Sequence, residues 1–121
     1  MSTNPYSTRV RELFAMTPHA GDVVGAKAVS ISDQDVRIRL SAGVEDGIVT
    51  AMRFRAWGCP HLIAGAEAAC AALEGHAVAG LPMWTSADLM QDLPVPVEKT
   101  GRILVLEDAV RSLGQRLCDG T

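Results

Sequence analysis

A cysteine stands at the corner of the stretch RFRAWGCPHLIAG, residues 53–65, where a strand-like run gives way through Trp57-Gly58 to a helix-like one. Pro60 suits the first turn of a helix, so Cys59 falls at that helix's N-terminal cap. Backbone N–H groups lack partners there, and the helix dipole favours negative charge. A thiol so placed is expected to ionise more readily than a free cysteine, whose pKa is about 8.5. The thiolate is both a nucleophile and a metal ligand. His61, two residues on, is placed to serve the same site as base or ligand. The competing reading is structural, with Cys59 as a small apolar cap and His61 on the surface. Position alone leaves the two level.

The other chemically able residues point elsewhere. Cys70 lies on the apolar stripe of the same helix and is expected in the core, the habit of free cysteines. Cys118 falls in a C-terminal tail and reads as incidental. His19, in a loop, and His76, beside Gly75, read as solvated. Three widely spaced cysteines argue against a disulfide framework and suit a reducing cytosol. Arg37, Arg39, Arg53 and Arg55 alternate with apolar residues and so share one outer face of a hairpin. That face could dock an acidic partner or a phosphate. The preferred reading is a solvated strand face that discourages edge pairing.

The elements that must hold the cysteine are legible from periodicity. Asn4-Pro5 can start a helix in which Tyr6, Val10, Leu13 and Phe14 share a face, ending before Pro18. Residues 19–27 hold three glycines and read as a loop. Val29 and Ile31, then Val36, Ile38 and Leu40, alternate with polar residues as strands. Gly43 to Gly47 reads as a turn, and Ile48 to Ala56 as the next strand of an antiparallel meander. Pro60 opens a helix to about Leu73, with Leu62, Ile63, Ala66, Ala69, Cys70 and Leu73 as its buried stripe. Ser86 can cap a short helix over Ala87 to Asp92. Residues 93–99, LPVPVEK, read as an extended connector. A last helix spans about Lys99 to Leu117, with Ile103, Leu106, Ala109, Val110, Leu113 and Leu117 facing inward. A helix, three strands and then helices make an α+β domain.

Bulk properties fit that reading. The 121 residues suit one domain, 1–121, with one core. Hydrophobic residues make up 48% and charged residues 21%, ordinary for a soluble protein. The net charge of −3, with scattered basic residues, gives no sign of nucleic-acid binding. No run approaches the about 20 apolar residues of a membrane span, and the N-terminus has no signal-peptide pattern, so a cytoplasmic location is expected. No Ser/His/Asp arrangement, phosphate loop or paired-carboxylate signature suggests an enzyme.

In order and spacing, the residues resemble the NifU/IscU-like iron–sulfur cluster assembly scaffolds over nearly the whole chain. Tyr6-Ser7, Val10, Pro18 and Gly21 resemble that family's opening helix and following loop. Asp35-Val36, Asp46-Gly47, Arg53-Phe54 and Trp57-Gly58-Cys59 are similar to its Gly-Asp-Val…Gly-x-Ile-x-x-x-x-Phe-x-x-x-Gly-Cys stretch without a gap. Residues 95–99, VPVEK, resemble the segment that the family's chaperone partner grips, here with an added negative charge at Glu98. Residues 106–110, LEDAV, resemble the last helix's Ala-Glu-Asp-Ala-Ile.

The resemblance implies a SufE/NifU-like α+β fold with a three-stranded antiparallel sheet and C-terminal helices on one face. It implies a non-enzymatic scaffold that works with a cysteine desulfurase and a chaperone. The family holds a [2Fe–2S] cluster on three cysteines, aided by an Asp and a His. Here Cys59 takes the middle cysteine's place and Asp35 the aspartate's. Asp33 replaces the first cysteine, Arg102 the third, and Gly101 the histidine. One thiolate with Asp35, Asp33 and His61 suits a single iron or zinc ion better than a cluster, which wants about four soft thiolates. A cluster would need a homodimer or an exogenous thiol. Arg102 would repel a cation and could pair with Asp33 or Asp35. The surviving single cysteine also fits a persulfide acceptor of the SufE type. A third reading is an interaction paralogue that keeps the fold without the chemistry.

Overall fold

The computed structural model describes residues 7–93 and 95–119. Helix α1 spans Thr8–Ala15, and its N-cap is Ser7, whose Oγ accepts the Val10 N–H at 3.2 Å. The Asn4-Pro5 start and Tyr6 lie outside the described residues. Strands β1 (Lys27–Asp33), β2 (Val36–Glu45) and β3 (Ile48–Trp57) form one antiparallel sheet in sequence order. Helices α2 (Pro60–Leu73), α3 (Ala87–Asp92) and α4 (Thr100–Asp119) follow. This is the expected three-stranded α+β architecture, with α2 and α4 packed on the sheet's core face.

Two tight turns make the meander. Gln34-Asp35 and Asp46-Gly47 both take positive φ at both residues, the geometry of a two-residue turn whose twist suits hairpins. The second turn is shorter than expected, because Gly43, Val44 and Glu45 continue β2. A bulge explains how they do so. Gly43 pairs with Ala51 but Val44 pairs with Val49, which leaves Thr50 as an extra residue in β3. The extra residue lets Val49 and Met52, of opposite parity, both point into the core.

The core joins Ile38, Leu40 and Ala42 of β2 to Met52 and Phe54 of β3, Leu62, Ala66 and Cys70 of α2, and Leu106, Ala109 and Leu113 of α4. Helix α2 is buried on more than one side, since α1 covers it too. Val10, Ala64 and Leu93 form a separate apolar cluster there. Ser86 stands at the N-cap of α3 as expected, but not through its side chain. Its side chain makes no cap bond, and its N–H and Oγ turn to Glu107 Oε1 at 2.8 and 3.3 Å. The 93–99 connector is not fully extended either, since Val97–Lys99 form a 3₁₀ turn that leads into α4. Cys118 is not in a frayed tail but within the last turn of α4.

Among the described residues, no helix is long and apolar enough to cross a membrane.

Candidate functional site

Cys59 is the N-cap residue of α2, in extended backbone, with Pro60 at the first helical position. Its side chain makes no capping hydrogen bond. It is only 4% exposed and packs within the main core cluster. Its Sγ lies 4.0 Å from Nδ1 of His61, which is 3% exposed. His61 is therefore not on the surface. The first turn of α2 folds it back beside the thiol, and both side chains are buried.

Gly58 sets the corner. Its φ is +109°, and a Cβ there would lie 2.8 Å from the Asp35 carbonyl oxygen and 3.0 Å from Val36 Cγ1. The backbone before Cys59 thus presses directly on the 34–35 turn. Gly101, at the start of α4, approaches the same turn from its own side, since a Cβ there would meet Gln34 Oε1 at 3.3 Å. Two close glycine contacts draw the Cys59, Asp35 and Arg102 segments to one end of the molecule. Gly58→Ala combines backbone strain with a clash and is expected to cost about 3 kcal/mol, read by urea denaturation. A cost under about 1 kcal/mol would mean that the corner yields freely.

Beside that corner, Ser32, Asp33, Gln34, Asp35, Arg37 and Trp57 line a polar groove of about 600 Å³. Arg37 lies over the Trp57 ring at 5.8 Å. Asp33 and Asp35 are exposed, and Asp33 Oδ1 accepts the Gln34 N–H at 2.8 Å. Among the described residues, no three His, Cys, Asp or Glu side chains converge as a metal-ligating group. Arg102 does not pair with Asp33 or Asp35. Its Nε is buried with no hydrogen-bond partner among the described residues. Nor can another thiol join Cys59 within one chain. Cys70 lies eleven residues along α2, about 16 Å of helix rise. It is sealed in the core, where burial, reinforced by Glu67 and Glu74, pushes its thiol far up. Cys118 lies sixteen residues beyond Arg102 on α4, about 24 Å of rise.

Periodicity missed the densest polar cluster. His19 is not a solvated loop residue. Its ring Nδ1 meets Glu67 Oε2 and its Nε2 lies 2.7 Å from Glu74 Oε1, while its backbone N–H donates to Glu67 Oε1 at 2.9 Å. Arg53 Nη1 and the Met52 N–H also donate to Glu74 Oε2. Glu67 is 3% exposed, although it sits on the helix that carries the apolar stripe. The backbone explains the placement. Phe54 N–H donates to the His19 carbonyl and Gly21 N–H to the Phe54 carbonyl, so the loop docks on the free edge of β3. A polar residue on an otherwise apolar helix face was the available signal.

Glu74 carries a pH prediction. Burial pushes its carboxyl up, but the Met52 N–H, His19 and Arg53 outweigh burial and hold it below its ordinary value of 4.5. A carboxyl with a lowered folded-state pKa stabilises above the unfolded value, and that stability is lost as pH falls through the folded one. Unfolding free energy is expected to drop as pH falls below about 4.5, and Glu74→Gln should flatten the drop. Urea titrations at a series of pH values check this, and an unchanged slope in the variant would refute the assignment.

The four hairpin arginines share the outer face as expected. Asp22, from the same loop, bridges Arg39 and Arg55 at 3.2 and 2.7 Å, and the Arg55 bond is the main cause of its lowered carboxyl pKa. Arg53 serves Glu74 and Arg37 covers Trp57. Each guanidinium has an internal partner, which favours a self-satisfied face over an anion dock.

No protein-family model matches the sequence, and no curated protein is significantly similar to it. Solved structures do share the fold. One is the N-terminal part of a nitrogen-fixing NifU-like protein from Brucella abortus, at a TM-score of 0.76, 13% identity and 95% coverage of both chains. Another is a candidate iron–sulfur cluster assembly scaffold protein for the SUF system from Fervidobacterium islandicum AW-1, at 0.72 and 10% identity, covering 88% of this chain and 94% of that one. The chain has the NifU-like fold.

Proposed function

We propose that this chain is a non-enzymatic, scaffold-like protein of iron–sulfur cluster assembly, in which Cys59 holds iron, zinc or a labile cluster. The observation that carries the reading is the buried Cys59–His61 pair at the helix N-terminus of a NifU-like fold. Asp35 is the first candidate to assist, with Asp33 and His61 as further ligands. A cluster wants about four soft ligands, and one chain offers a single thiol at this corner. The proposed cargo is therefore one metal ion, or a cluster completed by an exogenous thiol or a second copy. A cysteine desulfurase would supply the sulfur. A chaperone would grip the 95–99 segment, where Val97 is 89% exposed.

A second reading rests on the same lone thiol. The Cys59 thiolate would attack the terminal sulfur of a donor persulfide. The donor's cysteine would leave as its thiolate, and Cys59 would keep the sulfane sulfur as a persulfide.

The test is anaerobic reconstitution with ferrous iron and sulfide, read by visible absorption and metal analysis beside Cys59→Ser. A charge-transfer spectrum, or bound metal, that disappears in the variant supports the scaffold reading. Absence of both the spectrum and Cys59-dependent metal would refute it. Sulfane-sulfur labelling of Cys59 by a desulfurase would then decide for the carrier.

A further inference from the structure

We propose that the outer edge of β1 joins two copies of this chain, as an antiparallel pair centred on Ser30. β1 ends the sheet, and among the described residues no other segment bridges to it. An open strand edge is a template for another strand.

The hairpin fixes which residues offer their backbone. In a two-residue loop of the Gln34-Asp35 type, the closing residues, Asp33 and Val36, form a hydrogen-bonded pair. The register then runs unbroken to Lys27–Ala42. Hydrogen-bonded and non-hydrogen-bonded pairs alternate along it. Lys27, Val29, Ile31 and Asp33 therefore turn their backbone groups to β2. Ala28, Ser30 and Ser32 turn theirs outward.

The sequence along this edge, KAVSISD, is complementary to itself. Read against a second copy about Ser30, Lys27 falls opposite the partner's Asp33, and Val29 opposite the partner's Ile31. Both are non-hydrogen-bonded pairs across the new seam, where side chains stand closest. Two-fold symmetry makes each pair occur twice. Neither Lys27 nor Asp33 forms an ion pair within the described residues, so both charges are available. Val29 and Ile31 are half-buried on the core face, so the seam would extend both apolar cores. The result is a closed dimer with one six-stranded sheet. It leaves the two Cys59 thiols apart, because each follows β3 and the two β3 strands would be five strand spacings, about 24 Å, from each other. The dimer thus brings no second thiol to Cys59, and it engages Asp33, which the proposed function also names as a candidate ligand; Lys27→Asp and Ser30→Pro test the seam without touching that residue.

Sedimentation equilibrium across a range of concentrations tests it. A concentration-dependent dimer is expected, weakened by salt. Lys27→Asp sets two like-charge pairs in the seam and is expected to raise the dissociation constant about tenfold. Lys27→Asp combined with Asp33→Lys should restore the original value within about threefold. Ser30→Pro removes only an outward N–H and should abolish the dimer while the far-ultraviolet circular dichroism stays native. A monomer at every concentration would overturn the proposal. A dimer indifferent to Lys27→Asp, or not restored by the double reversal, would also overturn it.

Discussion

Replacing Asp33 and Arg102 together by cysteine is expected to turn a labile or absent cluster into one that survives gel filtration. Both positions belong to segments that the Gly58 and Gly101 contacts hold against the 34–35 turn, at the end of the molecule that carries Cys59. The exchange adds two soft thiolates to the one already there and deletes a guanidinium whose Nε is buried with no hydrogen-bond partner among the described residues. Outer-shell changes alone move metal affinity about 10–100-fold, so two direct ligands should move cluster retention by more than about 100-fold. Iron and sulfide analysis after anaerobic reconstitution and desalting reads the outcome. The same experiment on Asp33→Cys alone should give an intermediate result. If the double variant holds no more iron and sulfide than the parent chain, the corner is not built to close around a metal site. The proposed scaffold role would then lose its geometric basis.

His19→Leu is expected to be the most damaging single substitution in the polar interior, at about 3 kcal/mol. It strips Glu67 of its ring partner while leaving that carboxylate buried, with, among the described residues, only the His19 backbone N–H still donating to it. Glu74 loses the same ring but keeps Arg53 and the Met52 N–H. The penalty therefore concentrates on Glu67. Removing both polar partners at once should relieve it, since replacing both members of a buried hydrogen-bonded pair by apolar groups of similar shape is often close to neutral. His19→Leu/Glu67→Leu is expected to recover at least about 2 kcal/mol of the loss. Urea denaturation of the four species in this cycle measures the coupling. A double variant no more stable than His19→Leu would show that the damage comes from undocking the 19–21 segment from β3 rather than from a stranded carboxylate.

Local rules carried much of the chain. Period-two alternation located β2 and β3, because each of these strands buries one face and wets the other. Pro60 and the apolar spacing located α2 with Cys59 at its cap, because a proline fits the first helical turn and little else inside a helix. The same logic put Cys70 in the core and the four arginines on one outer face. Each of these depends on a residue and its neighbours within a few positions, which is why the amino-acid order determined it.

Other features depend on residues far apart in the chain. The Thr50 bulge lets Val49 and Met52 face the same way, yet it is a mismatch between two strands and has no signature in either one. Glu67 looks misplaced on α2 until residues 19–21 dock on β3 and deliver His19 to it. Ser86 has the type of a cap, but Glu107, from α4, takes its hydrogen bonds. The fate of His61 was set the same way. Its spacing from Cys59 allowed either surface or site, and the packing around the first turn of α2 buried it beside the thiol. The amino-acid sequence by itself determined where the three strands and the main helices form and where Cys59 sits among them. The tertiary structure decided which polar groups meet, because burying a charge is tolerable only when distant segments bring it a partner.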